Sequence, residues 1–256
     1  MRFDRLLREA AKHFTTNGYT SRSDINDWRV KLLSAAEAHL DVEGAHKRVG
    51  WMLESAYWKA LGAGRIAKKH GSVPKYAIDQ LEPKLRDELE RRIFATQELV
   101  EGDKRVALER LQQRFLGLAT AGPNPGEAAA SATAIGKVAR DSRAQERMIA
   151  VDQTKKMVAT MDEVIAEDGG SIGGFWDAEK EITRKHRDEH LARHNHWYPR
   201  RGCWADTEGL LKRGEGYLDE FDMPGVLINC QCTLNYVYDL AAVPPEYLTG
   251  KGRAAA

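Results

Sequence analysis

The chain has 256 residues, of which 42% are hydrophobic and 30% are charged, and its formal net charge is +1. The hydrophobic fraction excludes a disordered chain, and the near-neutral charge excludes a global electrostatic footprint for nucleic acid. No run approaches the roughly 18–20 apolar residues that span a bilayer, and the N-terminus lacks the apolar stretch of a signal peptide.

The first two-fifths of the chain are predicted to be helical, because apolar residues recur there every three or four positions. Asn17-Gly18 ends the first helix, Ser23 or Asp24 caps the second, and Gly62-Ala63-Gly64 stops the third.

A long fourth helix is predicted to begin at Pro83. Its mixed charges from Arg86 to Glu109 are typical of a solvated face, and the alternative is a helix that leaves the globular body to contact a partner.

Residues 121–134 form the predicted linker, because two prolines and two glycines open it and an Ala/Ser-rich stretch follows. The linker separates a helical domain, 1–120, from a second domain, 135–240. A polar tail follows at 241–256, and its last residues, Lys251–Ala256, are expected to be disordered.

The second domain is predicted to open with a helix from Ile135 to Ala166, followed by two short strands at Val226-Leu227-Ile228 and from Leu234 to Tyr238. The expected fold class is therefore α+β, with a predominantly helical N-terminal half and long helices followed by a small α+β domain with short strands.

Histidine and cysteine concentrate near the C-terminus. All three cysteines and half of the eight histidines fall in one stretch, namely His186, His190, His194, His196, Cys203, Cys230 and Cys232. Three cysteines cannot form a closed disulfide framework, which indicates folding in a reducing compartment. The enrichment predicts either a metal site or a small domain built around a shared polar core.

A zinc site is one interpretation of this stretch. His186 and His190 would share one face of a helix, while Cys230 and Cys232 would face one side of a strand. Two Cys and two His form a normal zinc ligand set, in which Cys203 could replace one histidine. The alternatives are small buried cysteines with histidines bonded to the backbone, or a redox pair. The expected cofactor is therefore none or one structural zinc.

Catalytic motifs are absent from the sequence. It has no nucleophile elbow, phosphate-binding loop or zincin spacing. Asp188 and Glu189 beside His190 offer acid–base groups, as any charged cluster does. We therefore expect a protein that is not an enzyme.

A local basic stretch is the candidate contact for nucleic acid. Arg184, Lys185, Arg200 and Arg201 could hold phosphates, and Trp197 and its aromatic neighbours could stack on bases. The alternative is a mixed-charge surface, because acidic residues between these positions partly cancel the charge.

Three further segments occur in the order and spacing of a known family. The first is Arg147-Met-Ile-Ala-Val-Asp-Gln-Thr-Lys155. The second begins at Trp176 and continues through Arg187-Asp-Glu-His190 to Arg193-His-Asn-His-Trp-Tyr198. The third runs from Pro224-Gly225 to Asn229-Cys230-Gln-Cys232. Together they resemble the phage head morphogenesis family, the minor head proteins of the phage Mu F type.

This resemblance implies a minor virion protein, assembled in the host cytoplasm and located in the capsid in a few copies. Its implied partners are the portal or other virion proteins, with phage DNA during packaging or ejection, and no membrane. Arg187, His190, Cys230 and Cys232 are expected to form one structural core. The alternatives are a virion enzyme, such as a metal-dependent nuclease or transferase, or a DNA-binding ejection protein.

Two positions depart from the family pattern. Gln231 stands where the family has arginine between the cysteines. Asn195 stands where the family often has glycine, and asparagine also tolerates a left-handed backbone.

Overall fold

The computed structural model describes residues 3–17, 21–71, 73–120, 125–178 and 187–256. The chain is helical in its N-terminal half and carries a small antiparallel sheet in its C-terminal part, which confirms the predicted α+β class.

The chain divides into two compact units. One comprises Met1–Trp51 and Ile93–Ala150, and the other comprises Met52–Arg92 and Val151–Ala256. Each unit therefore combines segments that are distant in sequence. This division differs from the predicted succession of a domain 1–120 and a domain 135–240.

Six helices precede the sheet within the described residues. They are α1 (Phe3–Asn17), α2 (Arg22–Leu40), α3 (Val42–Ala60), α4 (Ala63–Lys69), α5 (Lys75–Thr120) and α6 (Pro125–Asp168). The predicted ends at Asn17 and before Gly62 are confirmed. No described helix combines the length and the apolar character that a membrane span needs.

Three predicted helix limits are corrected. The cap of α2 is Ser21, whose hydroxyl accepts the Asp24 backbone N–H at 3.0 Å. Pro83 lies inside α5, which begins eight residues earlier at Lys75. Most of the predicted linker is the first part of α6, because Pro125 suits the first turn of a helix and alanine has the highest helix propensity. Its first four residues, 121–124, lie outside the described part.

Aromatic rings fill the core of the first unit. Phe14 of α1 and Phe115 of α5 are buried there, and their ring centroids are 6.1 Å apart. Apolar residues of α1, α2, α5 and α6 join in the same cluster.

Three short strands form the sheet of the second unit: β1 (Gly173–Asp177), β2 (Trp197–Pro199) and β3 (Thr233–Val237). β1 is the central strand and pairs antiparallel with both neighbours. The predicted strand from Leu234 is confirmed as β3. The predicted strand at 226–228 is wrong, because this segment turns back on itself: the Val226 N–H donates to the Met223 carbonyl.

Short helices surround the sheet at α7 (Asp188–Ala192), α8 (Trp204–Thr207) and α9 (Gly250–Ala255). The expected disorder of Lys251–Ala256 is wrong, because most of this segment belongs to α9. Val243 and Leu248 are buried in the cluster that contains Trp197, and Thr249 caps α9. Gly252 packs so closely against the Leu210 carbonyl that no side chain fits there, which explains why this polar-looking segment is ordered.

Candidate metal centre

The centre is built by a bend of the chain that brings Cys230 and Cys232 together in front of β3. Gly225 and Asn229 adopt left-handed backbone conformations, with φ of 86° and 59°. The Cys230 N–H donates to the Leu227 carbonyl at 3.1 Å and closes a turn, and neither cysteine lies in the strand expected. We call residues 225–232 the cysteine turn. The turn nevertheless points both sulfurs to one place.

His190 meets these sulfurs from α7. Its Nδ1 lies 3.6 Å from Cys230 Sγ and 3.4 Å from Cys232 Sγ. The three side chains are buried, with exposed fractions of 2%, 4% and 5%. Their ligand atoms all lie within 4.8 Å of one another, and among the described residues no other histidine, cysteine or carboxylate joins this group. We call His190, Cys230 and Cys232 the His-Cys-Cys cluster.

The pKa values of the two cysteines of the cluster shift in opposite directions. A hydrogen bond from the Cys232 thiol lowers the pKa of Cys230 to about 5 against the opposing effect of burial, and the Gly225 backbone N–H adds to the lowering. The same hydrogen bond and burial raise the pKa of Cys232. The hydrogen bond between the two side chains therefore favours ionisation of Cys230 over ionisation of Cys232.

Aromatic side chains hold the imidazole in place. The Trp176 ring of β1 contacts the His190 ring edge-on, with centroids 5.4 Å apart. The Arg193 guanidinium lies over the Trp176 ring at 5.2 Å and over the Phe221 ring at 4.6 Å. The second nitrogen of His190 has no hydrogen-bond partner among the described residues, and the Glu189 carboxylate is 3.9 Å away.

Two other expected members of the centre are placed differently. Arg187 is exposed and not part of a buried core, although its guanidinium donates to the Ile228 carbonyl at 3.1 Å. Cys203, the expected substitute ligand, caps α8 by accepting the Asp206 N–H at 3.4 Å and packs in a different apolar cluster. The expected ligand His186 lies outside the described residues.

The remaining histidines of the stretch have other partners. The Ala178 N–H donates to His194 Nδ1 at 3.1 Å, and His196 Nδ1 lies 2.6 Å from Glu215. Asn195 between them has φ of 64°, which confirms that asparagine here takes a left-handed backbone.

The expected nucleic-acid contacts are engaged within the protein where they are described. Arg200 binds Glu163 at 2.6 Å. Arg201 binds Asp219 at 2.9 Å and Glu220 at 2.7 Å. Arg184 and Lys185 lie outside the described residues. Ion pairs therefore occupy the two arginines that the structure places.

Asp152 is a site residue that the sequence did not single out. Its Oδ1 accepts the Asn229 N–H at 2.6 Å, and its other oxygen pairs with Lys156 at 3.0 Å. This contact ties α6 to the cysteine turn. The only signal in the sequence was the position of Asp152 inside the first family-like segment.

A cavity of about 720 Å³ lies between α6 and the cysteine turn, and both cysteines form part of its wall. Basic side chains line it, but Asp162 pairs with Arg65 and Lys69, and Glu88 pairs with Arg92. The cavity is therefore not strongly cationic.

Comparison with known protein families, curated proteins and solved structures finds no match to this chain.

Proposed function

We propose that this chain is a minor head protein of a phage, which acts in virion assembly near the portal. The observation that carries the proposal is that the three segments of the family resemblance, far apart in sequence, meet around the His-Cys-Cys cluster. Such convergence is expected if the segments serve one common domain, and it has no reason to occur if the likeness is accidental.

The contacts between the segments are specific. Asp152 of the first segment accepts the backbone N–H of Asn229 in the third. His190 of the second segment contacts both cysteines of the third, and the Trp176 ring contacts His190. Each segment is therefore joined to another by a polar or aromatic contact.

A structural role suits this arrangement better than catalysis. The His-Cys-Cys cluster is buried, whereas the acid–base candidates Asp188 and Glu189 are exposed. General acid–base catalysis requires that the acid and the base are both within reach of the same substrate. The cluster instead connects segments of the chain, as an assembly domain requires.

The test is to look for the chain in particles of the phage or prophage whose genome encodes it. Quantitative mass spectrometry of purified procapsids and mature virions should find it in both or in procapsids alone, in far fewer copies than the major capsid protein. Deleting the gene should reduce the yield of infectious particles, and a plasmid copy should restore it. Absence of the chain from both kinds of particle contradicts the proposal.

Contact with the portal is tested separately with purified proteins. The portal protein of the same genome is mixed with the wild-type chain and, separately, with an Asp152→Ala variant. In this variant the hydrogen bond between the first and third segments is lost. Co-sedimentation of the wild type is expected. If neither chain sediments with the portal or with particles assembled around it, the proposed location near the portal is contradicted.

A further inference from the structure

The His-Cys-Cys cluster has the composition of a metal site. One imidazole nitrogen and two sulfurs are ligands that zinc prefers, and all three lie in a buried place. The unpartnered second nitrogen of His190 shows that the ring is not held by a hydrogen bond on its other side. The orientation of the ring therefore rests on the Trp176 contact and on whatever joins Nδ1 to the two sulfurs.

The distances match coordination by one ion. With Zn–S of about 2.3 Å and Zn–N of about 2.05 Å, tetrahedral angles place a sulfur and a nitrogen about 3.6 Å apart. The two sulfurs lie 3.6 Å and 3.4 Å from His190 Nδ1. Each sulfur therefore lies from the nitrogen at about the separation that one shared zinc ion requires.

Few backbone hydrogen bonds stabilise the segments that carry the cluster. α7 has five residues, and the cysteine turn has no ladder hydrogen bonds of its own before β3 begins. Helices of this length are not stable by themselves in water. A bond between α7 and the turn would hold together parts of the chain that are 40 and 42 positions apart.

We propose that His190 Nδ1, Cys230 Sγ and Cys232 Sγ bind one Zn²⁺, which joins α7 to the cysteine turn and stabilises the second unit. Among the described residues no fourth side-chain ligand joins the group, and the expected ligand His186 lies outside them. The inference is independent of the proposed function, because it concerns the isolated protein.

The experiment measures metal directly in the full-length protein. Elemental mass spectrometry is applied to two samples. One is protein purified without added metal, and the other is protein reconstituted with Zn²⁺ and then desalted. One zinc per chain is expected after reconstitution, and a chelator should lower the Tm. Replacement by Co²⁺ should give the sulfur-to-cobalt charge-transfer absorption of a site with two thiolates, and the d–d bands of tetrahedral cobalt.

Matched variants identify the ligands. Cys230→Ser and Cys232→Ser should each weaken Co²⁺ binding by more than about 100-fold, because even outer partners of a metal ligand cost 10- to 100-fold. Cys203→Ser and His194→Ala, which change the same residue types outside the cluster, should leave binding unchanged. His190→Cys keeps a ligand at the third position and should retain a cobalt spectrum with stronger sulfur absorption.

Two results would overturn the inference, and the first needs no variant. The first is wild-type protein that holds no zinc after reconstitution and shows no charge-transfer band with Co²⁺. The second is binding that Cys203→Ser removes as completely as Cys230→Ser does. The first result would leave a thiol–thiolate hydrogen bond as the link between the cysteines, and virion location would still be tested by its own experiment.

Discussion

Asp162 shows how a single buried carboxylate keeps its charge in this chain. Burial would raise its pKa, but hydrogen bonds from His70 and Arg65 and the charge of Lys69 outweigh burial and lower the pKa from 3.8 to about 2. Arg65 makes two bonds to the carboxylate, at 2.7 Å and 2.6 Å. His70 also contacts the Tyr238 hydroxyl at 2.7 Å, so this network reaches from α4 through α6 to the end of β3.

This network predicts a pH dependence of stability. Because the folded-state pKa of Asp162 lies below the unfolded value, its ionised form stabilises the fold above about pH 4, and that contribution is lost as the pH falls toward about 2. The shift corresponds to about 2 kcal/mol. Asp162→Asn should cost about 3 kcal/mol at neutral pH, since it leaves two cations without their carboxylate. Urea unfolding of both proteins between pH 7 and pH 2 should show their difference shrinking below pH 4.

Glu220 supplies the control for that measurement. Hydrogen bonds from Arg213 and from the Tyr217 backbone lower its pKa to about 2 as well, but the group lies at the surface. Water and salt screen exposed ion pairs. Glu220→Gln should therefore change the stability much less than Asp162→Asn, and any change should shrink in high salt. If the two substitutions lower the free energy of unfolding equally, burial is not the reason that Asp162 contributes to stability.

At the scale of elements, β1 depends on having no side chain at its first position. Gly173 has φ of 157°, and a Cβ there would lie 2.5 Å from the Tyr198 carbonyl oxygen of β2. A backbone oxygen in a paired strand cannot move aside as a flexible side chain can. The close approach of β1 to β2 therefore requires glycine.

Gly173→Ala is consequently expected to destabilise the second unit by about 3 kcal/mol, from strained backbone and overpacking together. Gly170→Ala is the matched control, because Gly170 also has a positive φ, 76°, but no atom lies within 4 Å of its would-be Cβ. It should cost only about 1 kcal/mol. Thermal unfolding followed by near-ultraviolet circular dichroism compares them, and a smaller loss for Gly173→Ala than for Gly170→Ala would contradict the steric explanation.

The helices and strands also show which local sequence patterns are sufficient to predict an element. Helices α1 and α3 were predictable because their apolar stripes repeat over several turns. β1 and β2 were not predicted, because a glycine-rich five-residue strand and a three-residue strand are too short to show alternation. The alanine-rich start of α6 was predicted as a linker because of its low complexity, although alanine has a high helix propensity.

At the scale of the whole molecule, the second unit cannot be cut from the chain as one continuous piece. It includes Met52–Arg92, which supplies Arg65, Lys69 and His70 to the Asp162 network. A fragment 121–256, which begins where the sequence suggested a boundary, lacks all of these groups. Its Asp162 would be left as a buried carboxylate without partners.

We therefore expect the fragment 121–256 to show no cooperative unfolding transition. The fragment 52–256 contains every segment of the second unit and should retain one. Near-ultraviolet circular dichroism during urea unfolding measures both. A cooperative transition in the shorter fragment, of the same midpoint as in the longer one, would show that Met52–Arg92 is dispensable for this unit.

The charge of the whole molecule bears on the alternative hypothesis that the protein is a DNA-binding ejection protein. The net charge is +1, and Arg200 and Arg201 are held in ion pairs. Association with DNA depends on cations free to contact phosphates. We expect a gel shift with purified protein to show only weak binding that disappears between about 50 and 200 mM salt, unchanged in an Arg201→Ala variant. Tight binding that Arg201→Ala weakens would favour the ejection-protein alternative.

The amino-acid sequence by itself determined the fold class and most of the helices, and it predicted that His190, Cys230 and Cys232 lie together. Helical periodicity is local, and the chemistry of histidine and cysteine belongs to the residues themselves. Only the tertiary structure decided that Cys203 lies elsewhere, that Arg187 is exposed and that Asp152 anchors the cysteine turn. These outcomes depend on which segments pack together across 40 or more positions, and no short pattern encodes that distance.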